Sequence, residues 1–141
     1  MSMKELLFSF RGRIGRKVYW TWNLFYYLMI VGFGIGINTL FPAYGYLIFP
    51  VFLIFVLLPD LAITAKRWHD RGKSNWFLLL NIPLIIGRMT VPAGDPGIPT
   101  DTTTLQMVTS LAALACGAWI LVECGFLKGQ SGDNQYGPEP K

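Results

Sequence analysis

Charged residues break this chain into long apolar stretches. None occurs between 18 and 59. That run is too long for one bilayer crossing of ~20 residues and suits two joined by a turn. A second uncharged run, 102–122, is long enough for another crossing. A third, 76–92, is shorter and contains Arg88. The pattern predicts an all-α integral membrane protein, a single membrane domain over 1–141. Its four transmembrane helices fall at about 18–41, 46–71, 76–92 and 105–127. The third is the marginal one, because seventeen residues make only ~25 Å of helix and Pro83 can kink it. A re-entrant segment is its rival.

The connecting pieces follow from breakers and caps. "FPAYGY" (41–46) reads as an uncharged turn. Gly72 fits the position just past a helix end, and Ser74 or Asn75 can cap the next helix. The last turn or two before Arg71 are expected to emerge into water. "MKELLFSF" (3–10) is short and amphipathic, which predicts an interfacial helix on the membrane surface. Tyr19, Trp20 and Trp22 suit the headgroup zone. Gly32 and Gly36 form a small-xxx-small pair. "PAGDPGIPTDTT" (92–103) reads as a loop, and 128–141 as a polar, glycine-rich tail. "GRKVYW" (15–20) and "GKSNWF" (72–77) share a Gly-basic-x-x-aromatic-aromatic pattern, which two duplicated hairpins would explain.

Composition sharpens this picture. The chain is 52% hydrophobic and 14% charged, with a net charge of +4. Lys4, Arg11, Arg13, Arg16 and Lys17 precede the first helix. Lys66, Arg67, Arg71 and Lys73 lie between the second and third, and Lys128 and Lys141 follow the fourth. Arg88 alone falls on the opposite side, with Asp95 and Asp101. The positive-inside rule then places both termini in the cytoplasm. The basic residues punctuate membrane spans, so no nucleic-acid partner is expected. The first apolar run is too long for a signal-peptide core and lacks a cleavage site, which predicts an uncleaved insertion signal. Cys116 and Cys124, ~12 Å apart on one helix, cannot bridge each other and read as buried apolar residues.

Candidate chemistry gathers on the cytoplasmic side. Asp60, Thr64, Arg67 and Arg71 fall at i, i+4, i+7 and i+11, one polar stripe on the second helix. Glu123 lies five residues before Lys128 much as Asp60 lies six before Lys66. Both carboxylates are therefore expected ~8 Å below the cytoplasmic surface, with Arg16 and Arg67 as counter-ions. The predicted polar cluster comprises Arg11, Arg13, Arg16, Asp60, Arg67, His69, Asp70, Arg71, Lys73 and Glu123. One reading makes it a staple between helices, with Arg11, Arg13 and Arg71 fixing topology. Another makes it a pocket for an anionic lipid headgroup, bracketed by Trp68 and Trp76, or a polar path lined by Asp60 and Glu123 in a small transporter or channel component. Asn23, Thr64 and Asn81 are too few to line a path alone, though an oligomer could supply more. His69 lacks a second histidine for a metal site, and beside Asp70 it lacks a positioned nucleophile. No enzyme activity, metal or cofactor is expected. In the tail, Asp133 or Glu139 could dock onto the arginines, the alternative being a free polar tail.

Three motifs carry a resemblance. "FRGRIGRKVYW" (10–20), "KRWHDRGKSNW" (66–76) and "GQSGDNQYGPEP" (129–140) occur in that order across nearly the whole chain. Together they resemble the bacterial inner-membrane family known as domain of unknown function 805, the YhaH-like proteins. Lys66 and Trp68 stand where that family usually shows Arg and Leu, and Asn75 where Gly is usual. The resemblance implies a small multi-pass inner-membrane protein and brings no catalytic residue or cofactor with it. The expected function is an accessory or scaffold protein whose basic face engages anionic membrane lipids, a membrane protein partner or a second copy of itself.

Overall fold

A computed structural model describes residues 1–90 and 104–141, the side chains of 89 and 90 excepted. The expected loop over 92–103 lies outside the described residues. The elements are α1 (Met3–Phe8), α2 (Arg16–Leu40) and α3 (Gly45–Asp70), then a 3-10 segment (Asn75–Asn81) that runs into α4 (Ile82–Thr90). Last comes α5 (Thr104–Ile120), which widens into a π-helical stretch (Leu121–Phe126). Apart from an isolated bridge between Asn134 and Gly137, no strand occurs among the described residues.

Among the described residues, three helices are long and apolar enough to cross a membrane: α2, α3, and α5 with its π stretch. Their bounds fall within two residues of the expected ones. Large side chains point outward from all three, with Leu24, Phe55 and Leu114 each more than three-fifths exposed or nearly so at 65%, 76% and 72%. Water would not tolerate so continuous an apolar surface, whereas hydrocarbon needs no partner for it. The third expected span differs from the other three. Its first half is a 3-10 helix, and the switch to α-helix comes beside Pro83, whose missing N–H removes one intrahelical bond where the winding changes.

Local chemistry explains the ends. Ser2 and Glu5 form a reciprocal capping box on α1. At the end of α3, Gly72 adopts φ +75° and donates its N–H to the His69 carbonyl, while Lys73 donates to Trp68. That is the expected glycine stop, in the Schellman form. Gly15 instead starts α2 in extended geometry. The two glycines of the matching hexapeptides thus do different conformational work.

Packing forms two hairpins. In the first, α2 lies on α3, with Phe33 stacked on Phe52 at 3.9 Å. In the second, α4 lies on α5, where a Cβ on Gly117 would meet Leu84 at 3.4 Å. Gly32 and Gly36 face nothing within 4 Å among the described residues. The hairpins join at the end where the basic residues cluster, around Ile14, Tyr19, Ile63, Trp68, Ile120 and Cys124. Here one expectation is corrected. The last nine residues of α3, 62–70, do not emerge into water but are all buried. They are enclosed by α1, the 11–15 turn, the 3-10 segment and the tail. Trp68 accordingly sits in the core, and of the two tryptophans expected to bracket the pocket Trp76 alone is exposed.

Candidate functional site

The basic end is organised around the carbonyls that α5 leaves unpaired. A helix terminus exposes its last C=O groups, and near a membrane these need donors. Five consecutive carbonyls find them on other elements. Cys124 receives Arg67 Nε (2.6 Å), Gly125 receives Trp20 Nε1 (2.8 Å), and Phe126 receives Arg16 (3.0 Å). Leu127 receives a second Arg67 nitrogen (2.6 Å), and Lys128 receives Arg71 (2.6 Å). Three guanidinium groups at a helix C-terminus also suit its partial negative charge.

The tail is held the same way. Arg13 donates to the carbonyls of Gln130 (2.6 Å), Gly132 (2.6 Å) and Gly137 (3.2 Å). The Gln130 N–H in turn donates to the Asp70 carbonyl at 2.7 Å. Asn134 makes an Asx-type turn onto the Tyr136 N–H and donates to the His69 carbonyl. Tyr136 then stacks flat on the His69 ring, 4.0 Å away and 5° from parallel. The tail is therefore docked rather than free, and among the described residues it is held through its carbonyls and not through Asp133 or Glu139. Glu139 bonds back to the Gly132 N–H instead. Arg13 is buried, and its donors go to these carbonyls and to Asp70.

Asp70 is the anion at the centre. It pairs with Arg13 at 2.9 Å and with Arg67 one turn away, and the side chains of both arginines are fully buried. Two cations share one carboxylate, and the neighbouring carbonyls satisfy the remaining N–H groups. Gly129 passes so close that a Cβ there would collide with the Asp70 carboxylate. His69 has Nδ1 against the Gly12 carbonyl (3.1 Å) and Nε2 against the Asn75 amide (2.8 Å). Lys66, fully buried, donates to the Leu6 carbonyl near the end of α1.

The two intramembrane carboxylates separate, which corrects their expected depth and counter-ions. Glu123 pairs with Arg71 at 2.9 Å, level with the end of α3. Asp60 lies seven residues deeper than Arg67, ~10 Å along the helix. Its partners are neither Arg16 nor Arg67 but Trp22 Nε1 (3.1 Å) and Arg88 (3.4 Å). Arg88 does not turn to the opposite surface. Side chains on a helix lean towards its N-terminus, and α4 runs away from the basic end, so Arg88 leans back into the bundle. There it meets the hydroxyls of Tyr26 (2.9 Å) and Tyr27 (3.4 Å).

Of the predicted cluster, the structure thus joins Arg13, Arg16, Arg67, His69, Asp70, Arg71 and Glu123. Arg11 is exposed at the rim, Lys73 sits 5.5 Å from the centre of the Phe77 ring, and Asp60 belongs to a separate site. Lys66 and Arg88 are the participants sequence reasoning left out of the cluster. Among the described residues, no three His, Cys, Asp or Glu side chains converge to hold a metal ion.

Two of the cavities that flank this core have mostly apolar walls. One, of about 510 Å³, is an apolar groove between α1 and α2 with Lys17 among its lining. The other, of about 400 Å³, lies between the hairpins and contains Asp60 and Arg88.

Comparison with known proteins places these features in context. The family described as "Protein of unknown function (DUF805)" matches residues 7–138. The chain is 30% identical over 143 residues to the uncharacterized protein YiiR of Escherichia coli K12, covering 99% of this chain and 90% of that one. The YiiR of Escherichia coli O157:H7 matches equally. No solved structure matches the chain.

Proposed function

The chain belongs to the DUF805 family, and from that premise we propose a non-enzymatic accessory or scaffold protein of the bacterial inner membrane. It crosses the bilayer four times, keeps both termini in the cytoplasm and holds anionic phospholipid at its basic end. The 3-10 winding supports the fourth crossing. At ~2.0 Å per residue over its first half, the segment Asn75–Thr90 reaches about 27 Å, close to the ~30 Å hydrocarbon core.

The groove between α1 and α2 carries the lipid reading. Its walls include Leu6, Leu7, Val18 and Phe25, chemistry that suits an acyl chain, and Lys17 stands among them. Lys4 on the same α1, together with Arg11, Arg16 and Lys128, is exposed nearby at this end. Basic residues at an anionic membrane surface contribute about 1 kcal/mol each. The expected headgroup pocket at 66–76 is less apt, because Arg13 and Arg67 already spend their donors on the protein's own carbonyls.

Native mass spectrometry from nanodiscs of mixed phosphatidylglycerol and phosphatidylcholine tests this. Wild type should retain phosphatidylglycerol selectively, and the double variant Lys4→Ala/Lys17→Ala should lose it. Equal retention of both lipids by both proteins would remove the reading. The transporter alternative needs Asp60 and Glu123 on one path, and their separation leaves Asp60 alone beside the inter-hairpin cavity.

A further inference from the structure

The cavity between the hairpins is a second site, independent of the lipid reading above. All four membrane segments build it. Tyr19, Asn23 and Tyr27 come from α2, Asp60 and Thr64 from α3, Arg88 from α4 and Gly117 from α5, while Asn81 closes the 3-10 segment. These include the scattered polar residues of the apolar runs, gathered in one place.

Asn81 is the decisive observation. Its side chain is buried at 6% exposure, and Nδ2 has no hydrogen-bond partner among the described residues. An unmade hydrogen bond in so dry a place is costly, and such a group marks a missing acceptor. The other groups narrow what that acceptor belongs to. The charged residues lining the cavity, Asp60 and Arg88, offset each other, so no net charge invites an ion. The Asp60 carboxylate already accepts from Trp22 and Arg88. Arg88 holds Tyr27 only at 3.4 Å, leaving donor capacity in reserve. Asn81 and Arg88 thus each have a donor to offer. The rim is apolar and faces outward from the bundle, with Trp20, Leu24 and Leu121 all exposed. A ligand can enter sideways from the hydrocarbon and leave a tail there. At about 400 Å³ the cavity is in the range of small-molecule pockets.

We propose that this cavity binds an uncharged lipophile whose compact head carries carbonyl oxygens, placed against Asn81 and Arg88 with its tail leaving between α2 and α5. A membrane quinone and an acylglycerol ester both have that chemistry.

The test uses the full chain in nanodiscs of diether phosphatidylcholine, a matrix without carbonyl groups. Three probes are titrated: a decyl-tailed benzoquinone, dioctanoylglycerol and decanoate. Binding is read by thermal shift, and for the quinone also by quenching of Trp20. One of the two uncharged probes should bind saturably, which also identifies the source. Asn81→Leu should weaken that binding about tenfold, the effect of one lost hydrogen bond, while the ligand-free protein melts no lower than wild type. Gly117→Leu, which fills the cavity from α5, should abolish binding and serves as the second variant. Saturation by decanoate alone, by no probe, or unchanged affinity in both variants would overturn the assignment.

Discussion

Asp70→Asn keeps the shape of the side chain and removes its charge. In the wild type this carboxylate lies 2.9 Å from Arg13, also contacts Arg67, and is 6% exposed. Without it two buried guanidinium groups face each other across a neutral amide. Removing one partner of a buried ion pair typically costs about 3–5 kcal/mol. The lower end, about 3 kcal/mol, is expected here, because three carbonyls still hold Arg13 and two still hold Arg67. The loss should concentrate in the tail, since Arg13 is what binds its carbonyls. Reversible unfolding in mixed micelles would give the global figure, and tryptic cleavage after Lys128 would report the tail. The variant should cleave at least tenfold faster, the ratio set by ~1.4 kcal/mol of local opening. A variant as stable and as resistant as wild type would refute the view that Asp70 organises this end.

Three further outcomes follow from the same geometry. Gly129→Ala should release the tail much as Asp70→Asn does, because its Cβ would occupy the carboxylate's place, and tryptic cleavage reads both. Gly72→Ala forces an L side chain into φ +75° and against the Gln130 amide, so a loss of at least ~1 kcal/mol in unfolding free energy is expected. Glu5 is held below its ordinary value of 4.5 by the Ser2 backbone N–H and then the Ser2 hydroxyl. A lowered folded value means that the cap's contribution is complete above about pH 4.5 and is lost as pH falls through the lower folded value. Amide protection over 5–9, corrected for the intrinsic exchange rate, should therefore fall only in acid, and Glu5→Gln should shrink that pH dependence.

Much of the architecture was legible because hydropathy and charge act locally. The uncharged runs marked α2, α3, and α5 with its π stretch to within two residues, and Gly72 announced the end of α3. The winding of the third segment was not legible, because hydropathy says nothing about it and the 3-10 geometry of Asn75–Asn81 leaves no periodic signature in an apolar run. The arginine cluster was legible as a group, since the residues share one end of the bundle. Its partners were not, because backbone carbonyls are invisible in a sequence and here they take most of the donors. Asp60 and Arg88 were separated for a related reason. Counting residues to the nearest charge assumed that Lys66 marked the surface, whereas Lys66 is buried under α1. With that reference removed, Asp60 lies deep enough to meet an arginine assigned to the far side.

The central claim is that Arg13, Arg67 and Asp70 bring the two ends of the chain together on one side of a four-crossing bundle. Cysteine labelling tests it most directly. Single cysteines at Ser2, Ile98 and Ser131, in a background with Cys116 and Cys124 replaced by alanine, would be exposed to an impermeant maleimide in right-side-out and in inverted vesicles. Ser2→Cys and Ser131→Cys should both label only in inverted vesicles, and Ile98→Cys only in right-side-out ones. Labelling of the two ends from opposite sides would contradict the account.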